Sequence, residues 1–308
     1  MDNNDLLLLC QRGLVAQVKR ALARGADVNV RDSDGRSPLW IASYDGHLMV
    51  ATVLLSHGAC VHVTTTADGT SPLHVASMHG HIKMMRLLLD HGADVHQATD
   101  LGASSLYLAC FEGRLDVARA LIIEYDADVH QAIHKGASPL LAASVAGHVE
   151  IARVLIFHGA DVHQAMHNGA TPLCSASRFG HIAMTRLLLD HGADVHQATH
   201  AGVSPLFIAC EHGQTEIVRL LLEECGADVH QARLDGTLPL DAARARGHQA
   251  IVHLLLNHLP VSPLLGSLDA YDDELAGGVI RSRNEWRTSR TCRGCGRRRV
   301  GRAFVSSG

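Results

Sequence analysis

A glycine recurs every 33 or 34 residues through most of this 308-residue chain. A fixed period of that length indicates a repeat architecture, in which each unit contacts only its neighbours. We therefore expect a linear array of similar units rather than one closed core. The recurring glycines are Gly35, Gly69, Gly102, Gly136, Gly169, Gly202 and Gly236.

Each period carries the signals of two short helices. A hydroxyl residue followed by proline predicts a helix start, because Ser and Thr cap helices and proline fits the first helical position. A second glycine about nine residues later predicts the end of that helix, and an apolar run such as Ile82 to Leu89 predicts the next one. The starting pairs are Ser37-Pro38, Ser71-Pro72, Ser138-Pro139, Thr171-Pro172 and Ser204-Pro205, with Ser104-Ser105 and Leu238-Pro239 as departures. The second glycines are Gly46, Gly80, Gly113, Gly147, Gly180, Gly213 and Gly247.

The order Ser/Thr-Pro-Leu, Ala, Gly-His, a leucine run and Gly-Ala-Asp-Val resembles the ankyrin repeat over residues 1–258. Seven copies follow one another in register, and residues 4–31 resemble an N-terminal capping repeat, which gives about eight repeats. The resemblance implies an all-α solenoid of stacked helix-turn-helix repeats with β-turn fingers. One departure is systematic, because the family's Asn after Asp-Val occurs here only as Asn29. The histidines that replace it are His62, His96, His130, His163, His196 and His230.

Two recurring positions are expected to build the core between repeats, because one pair of short helices cannot bury its apolar stripe alone. Small alanines would let helices approach closely: Ala42, Ala76, Ala109, Ala143, Ala176, Ala209 and Ala243. Leucines would fill the space between repeats: Leu39, Leu73, Leu106, Leu140, Leu173, Leu206 and Leu240.

The resemblance also implies a concave binding face, built from turn tips and first helices. The expected partner-binding residues flank each turn glycine or precede the second glycine: Asp34, Arg36, Tyr44, Asp45, Met78, His79, Phe111, Glu112, Lys135, Arg178, Phe179, Glu211 and His212. Among them we expect Tyr44, Met78, Phe111, Arg178 and Phe179 to carry most of the binding energy, because aromatic residues, Met and Arg are enriched at interface centres. The alternative for each is an isolated large residue on the surface.

Nothing in the repeats predicts catalysis or a cofactor. Cysteines and histidines recur with the repeat instead of converging, and no Gly-x-Ser-x-Gly, His-Glu-x-x-His or phosphate-binding loop is present. Equivalent histidines in stacked repeats would lie about 8–10 Å apart, too far for one zinc ion. We expect the Gly-His histidines to be structural and the turn histidines to bond the backbone. With 23 histidines, the protein is also expected to lose stability below about pH 6.

The periodicity stops after His258, and the rest of the chain has a different composition. Residues 259–280 are expected to be a linker with an acidic patch, Asp269 to Glu274, and residues 281–308 an Arg-rich, disordered tail. That tail holds nine arginines against one acidic residue, together with Trp286, a composition that suits RNA, an acidic protein or a nuclear import receptor. Cys292 and Cys295 form half of a zinc site, so a closed site needs ligands from elsewhere. A truncated domain is the other interpretation.

The sequence thus favours a non-catalytic protein–protein interaction scaffold or adaptor whose partner it does not identify. The alternative is a nucleic-acid- or zinc-binding adaptor that acts through the tail, the only place where nucleic acid is expected to bind. The sequence contains no stretch of about 18 apolar residues, so it predicts no membrane span. The eight cysteines lack the dense spacing of a disulfide scaffold. We expect an intracellular monomer, cytoplasmic or nuclear.

Overall fold

The computed structural model describes residues 3–259, which form sixteen α-helices and no β-strand. We number the helix pairs as repeats 1 to 8. The first helix of each repeat, called the inner helix, is α1 (Asn3–Gln11), α3 (Pro38–Tyr44), α5 (Pro72–His79), α7 (Ser105–Phe111), α9 (Pro139–Ala146), α11 (Pro172–Phe179), α13 (Pro205–Glu211) or α15 (Pro239–Ala245). The second, called the outer helix, is α2 (Val15–Ala23), α4 (Leu48–Ser56), α6 (Ile82–Asp90), α8 (Leu115–Tyr125), α10 (Val149–Phe157), α12 (Ile182–Asp190), α14 (Thr215–Glu223) or α16 (Gln249–His258).

The helix boundaries follow the predicted signals. At α5 the Ser71 hydroxyl accepts a hydrogen bond from the His74 N–H, and Pro72 occupies the first turn. Gly80 then ends this helix with a φ of 79°, a left-handed conformation that a side chain would strain. None of the helices in residues 3–259 is long and apolar enough to cross a bilayer.

Stacking joins the repeats into one array, as the resemblance implied. Each inner helix packs against its own outer helix and against the inner helices of the neighbouring repeats, while the outer helices form a second row. All seven predicted alanines are 0% exposed, and six of the seven predicted leucines are buried. Leu240 is only half-buried, because no described repeat packs on the far side of repeat 8.

The segments between repeats fold into tight turns, which we call fingers. Within one finger the Thr99 N–H donates to the Ala103 carbonyl at 3.0 Å, and the Asp100 N–H donates across to Asp68 of the preceding finger at 3.0 Å. The other five bonds between fingers join Thr66 to Asp34, His134 to Leu101, His167 to Lys135, His200 to Asn168 and Leu234 to Ala201. A Cβ at Gly102 would lie 2.9 Å from the His134 nitrogen, so the close approach requires glycine there.

Five of the six turn histidines, all except His62, bond a preceding aspartate through their main-chain N–H, and none of these five bonds through its ring within residues 3–259. The N–H of His96, for example, donates to Asp94 at 2.9 Å, and its carbonyl accepts from Gln131 of the next repeat at 2.9 Å. At Asn29 the side chain itself bridges the repeats, donating to Gly58 and accepting from Cys60. The same bridge forms at His130 and His196, so a His-Gln pair replaces the family's asparagine bridge at three of the six turn histidines and leaves their imidazoles exposed.

Replacing Leu173 with alanine should be among the most destabilising single changes. Leu173 is buried between repeats, so truncation removes apolar burial and leaves a cavity, lowering the free energy of unfolding by about 2–5 kcal/mol. Urea unfolding of the purified chain measures the change. The control is Phe157→Ala at a side chain that is 85% exposed, which should change that free energy by no more than about 0.5 kcal/mol. Equal effects of the two changes would contradict the stacked core.

Candidate functional site

One row of side chains lies two residues before the second glycine of each repeat, at the end of the inner helices. In repeats 2 to 5 the row is apolar: Tyr44, Met78, Phe111 and Val145. It then becomes charged at Arg178 and Glu211. Tyr44 and Phe111 are each 43% exposed, a large fraction for aromatic side chains that the fold could have buried. The apolar stripe is thus confined to one half of the array.

A groove lies beside this stripe, between the inner helices α3, α5 and α7 and the fingers. It has a volume of about 510 Å³, within the range of sites that enclose ligands. Its main apolar lining is Trp40, Tyr44, Met78, Leu101, Tyr107 and Phe111. We call this site the groove.

A second cavity of about 430 Å³ continues the groove towards α1. It shares Trp40 and Tyr44 with the groove and adds Leu7 and Leu8. The rings of Trp40 and Tyr44 stack with centroids 5.4 Å apart, and the Tyr44 ring meets His79 edge-on at 4.4 Å. Aromatic surface therefore runs without a break from repeat 2 to repeat 3.

The main chain of the stripe is fixed by hydrogen bonds from the residue that precedes each outer helix. The His148 Nε2–H donates to the Phe111 carbonyl at 3.1 Å, and the His81 Nε2–H donates to the Tyr44 carbonyl at 3.1 Å. Arg114 and Gln214 make the same contact where histidine is missing, with Met78 and Arg178. We call these side chains the junction donors, and all seven junctions have one: His47, His81, Arg114, His148, His181, Gln214 and His248.

The second glycine of each repeat makes room for the junction donor of the next. A Cβ at Gly113 would lie 2.6 Å from the His148 ring, and Gly113 also has a φ of 74°. Both constraints favour glycine at this position. The structural role predicted for the Gly-His histidines is therefore a hydrogen bond from each ring to a main-chain carbonyl of the preceding repeat.

His74 lies in the wall of the groove as a neutral imidazole. It is 0% exposed, its Nδ1 accepts from the Ser71 N–H at 3.0 Å and its Nε2–H donates to the Gln97 carbonyl at 2.9 Å. Burial lowers its pKa below the usual value. Burial, followed by the nearby His81 and Arg114, also lowers the pKa of His79, whose Nε2 has no partner among the described residues.

Two carboxyl groups line the groove, and no described Lys or Arg does. Burial alone would raise the pKa of Asp68, but hydrogen bonds from Thr65 and Thr70 outweigh it and the pKa is lowered. The Glu112 side chain is exposed at the C-terminal end of α7. The groove is therefore apolar at its floor and acidic at its rim.

The structure gathers some of the predicted binding residues and leaves others apart. Tyr44, Met78, Phe111 and Glu112 line the groove, while Arg36 and Asp45 line the adjoining cavity. Around them, Asp34 pairs with Arg36 at 2.9 Å and His79 lies against Tyr44. The predicted residues outside both cavities on later repeats are Lys135, Arg178, Phe179, Glu211 and His212. Of these, Arg178 lies over the Phe179 ring, and Glu211 pairs with Arg246.

Sequence reasoning missed Trp40 and Tyr107, which line the groove. Both occupy the third helical position after the capping serine, where other repeats have His74, Leu141, Cys174, Phe207 or Asp241. Aromatic residues at that position in repeats 2 and 4 were the available signal, but Phe207 at the same position of repeat 7 is buried.

The possible metal ligands of residues 3–259 do not cluster, and four of the six described cysteines are buried. Residues 3–259 contain no group of three or more His, Cys, Asp or Glu side chains that would hold a metal ion. Burial raises the pKa of Cys10 and of Cys210 to about 12, so neither is a thiolate near neutral pH. The predicted zinc ligands Cys292 and Cys295, like the acidic patch and the Arg-rich tail, lie outside the described residues.

Stacked helix pairs, fingers and an open groove define a helical repeat protein with a recessed surface. A family model described as ankyrin repeats matches residues 6–99, 60–132, 106–199 and 194–263, well over half of the chain. The protein belongs to the ankyrin repeat family.

Curated relatives share short segments with this chain. Ankyrin repeat domain-containing protein 49 of Bos taurus is 42% identical over 66 residues, which cover 21% of this chain and 28% of that protein. Potassium channel KOR1 of Oryza sativa subsp. japonica is 47% identical over 53 residues, which cover 17% of this chain and 6% of the channel. The chain therefore spans less than a third of either relative.

Removing a junction donor should loosen the main chain under the stripe. His148→Ala deletes the hydrogen bond to the Phe111 carbonyl and should lower the free energy of unfolding by about 1 kcal/mol. His148→Gln should recover most of that loss, because Gln214 makes the equivalent bond at 3.0 Å. Urea unfolding of the three proteins measures both effects. The assignment fails if glutamine destabilises as much as alanine.

His74 should account for part of the protein's acid sensitivity. Its pKa is depressed in the folded state, so the unfolded chain takes up the proton first and stability is lost as the pH falls below about 6.5. The melting temperature should fall between about pH 7.5 and pH 5.5, and fall less in His74→Leu, which copies Leu141 of a sister repeat. His130→Gln, which removes an exposed ring, is the control and should behave as the unchanged protein does. Identical pH dependence in all three would overturn this role.

Proposed function

We propose that this protein is a scaffold or adaptor that binds a partner protein on the concave face of its ankyrin stack, formed by the inner helices and fingers. The observation that carries the proposal is the groove, in which Tyr44, Met78 and Phe111 come together around an apolar volume of about 510 Å³. Aromatic residues and methionine are the types that concentrate binding energy at interface centres.

Preorganisation of the groove supports the same proposal. The carbonyls of Tyr44, Met78 and Phe111 each accept a hydrogen bond from a junction donor of the next repeat. Because these residues are held before a partner arrives, less conformational entropy is lost on binding. A surface of this kind suits a rigid interaction module.

The proposal includes a non-catalytic role, because ankyrin repeat proteins are generally interaction modules. In the rice channel the matched segment is 6% of the protein, which fits a module that serves within different proteins.

The alternative function acts through the tail. Nine arginines among residues 281–302, together with Cys292 and Cys295, suit a nucleic-acid- or zinc-binding adaptor. A salt-dependent shift of nucleic acid by the full chain, abolished when the arginines of residues 281–302 are changed to glutamine, would favour this alternative. Zinc in the purified chain, lost on changing both cysteines, would favour its metal form.

Truncating the floor of the groove should weaken the partner without unfolding the array. After affinity capture identifies a partner, the double change Phe111→Ala and Phe179→Ala should weaken the free energy of binding to that partner by more than about 2 kcal/mol. A binding titration measures the change. Phe111→Ala alone should account for most of the loss. Phe179→Ala is the matched control, because its ring is 49% exposed against 43% for Phe111 and lies outside the groove.

The two single variants and the double variant should keep the melting temperature of the unchanged protein, because both rings are exposed. Unaltered affinity of the double variant would remove the concave-face assignment. A loss confined to Phe179→Ala would instead move the binding surface to repeat 6.

A further inference from the structure

The charges around the groove are unbalanced. Asp68 and Glu112 line the groove itself, and Asp32 and Asp45 line the adjoining cavity. Among residues 3–259, Arg36 is the only Lys or Arg in either lining. It is already engaged, since it pairs with Asp32 at 2.7 Å and with Asp34 at 2.9 Å.

The remaining carboxylates have no Lys or Arg partner within residues 3–259. Neither Asp45 nor Glu112 forms an ion pair in residues 3–259, and Asp68 accepts hydrogen bonds only from neutral threonine groups. Asp45 and Glu112 also stand at the C-terminal ends of α3 and α7, where the helix already presents carbonyl oxygens. A negative side chain is unfavourable there, and an arriving cation would relieve that cost.

The combination of apolar floor and acidic rim does not continue along the array. At the position of Asp45 and Glu112, repeats 5 and 6 have Ala146 and Phe179. The charged residues among the expected binding residues of these two repeats are Lys135 and Arg178, which are exposed and basic. A cationic ligand would therefore be drawn to repeats 2 to 4 and repelled from the next two repeats.

From these groups we propose that the partner segment bound in the groove is a peptide with two or three large apolar side chains flanked by Lys or Arg. This inference rests on the proposed function and adds the chemistry of the partner. The apolar side chains lie on Tyr44, Met78 and Phe111, and the cations pair with Glu112, Asp45 and Asp68. The same carboxylates repel nucleic acid and acidic peptides from this face.

Selection from a random 12-residue peptide library, displayed on phage and presented to the full chain, tests the proposal. Enriched peptides should combine Leu, Phe, Trp or Met with Lys or Arg. One of them, made synthetically, should bind at least about tenfold more weakly to the Asp45→Lys and Glu112→Lys double variant, and its affinity should fall as salt rises from about 0.05 to 0.5 M. The double variant Asp116→Lys and Glu150→Lys, at exposed carboxylates on the outer helices α8 and α10, changes the net charge by the same amount; it is the control and should leave binding unchanged.

The outcomes separate this inference from the proposed function. If the enriched peptides are acidic or neutral, or if charge reversal leaves binding intact while Phe111→Ala abolishes it, the inference fails and the concave-face function stands. If no peptide is enriched, or if binding survives Phe111→Ala, both fail. Tighter binding by a synthetic peptide of residues 281–302 than by every selected peptide would assign the groove to the chain's own basic segment and overturn a partner as its occupant.

Discussion

Every other property of this protein depends on the fact that a pair of short helices cannot bury its own apolar packing faces. The described helices have 7 to 11 residues, and those of repeats 2 to 7 pack on the repeats before and after them. The alanines at the contact between inner helices are fully buried, which brings the helices close and leaves space for the leucines. Because stacking uses only these faces, the ends of the inner helices and the fingers remain available for binding.

Polar contacts between repeats turn this stack into a defined surface. Main-chain bonds join neighbouring fingers, and a junction donor bonds the carbonyl beneath each residue of the stripe row. The junction position accepts His, Arg or Gln, since the contact needs only an N–H at the right reach. The outward side chains are then free to vary, so one half of the row is apolar beside carboxylates while the other contains Arg178 and Glu211. The outward side chains therefore change from repeat to repeat while the main chain beneath them keeps the same contacts.

The sequence predicted the fold well and identified some of the residues that line the groove. Three features follow from patterns within a single repeat, which the sequence alone shows. They are the repeat period, the helix starts such as Ser71-Pro72, and the buried alanines. Tyr44, Met78 and Phe111 were found by their place before the glycine. Trp40 was missed because its part in the groove depends on how neighbouring repeats stack, and Phe179 was grouped with Phe111 although stacking places it outside the groove. The His-Gln bridge between repeats was also beyond local rules, because its partners are about 35 residues apart.

Hydrogen exchange of the full chain, with and without a captured partner, tests the central claim that the inner helices and fingers of repeats 2 to 4 form the binding face. Bound partner should slow amide exchange in α3, α5 and α7 and in the fingers between them, because binding there suppresses local opening. Exchange in the outer helices α4, α6 and α8 should stay nearly unchanged. Protection centred on the outer helices, or confined to residues 281–308, would contradict the account.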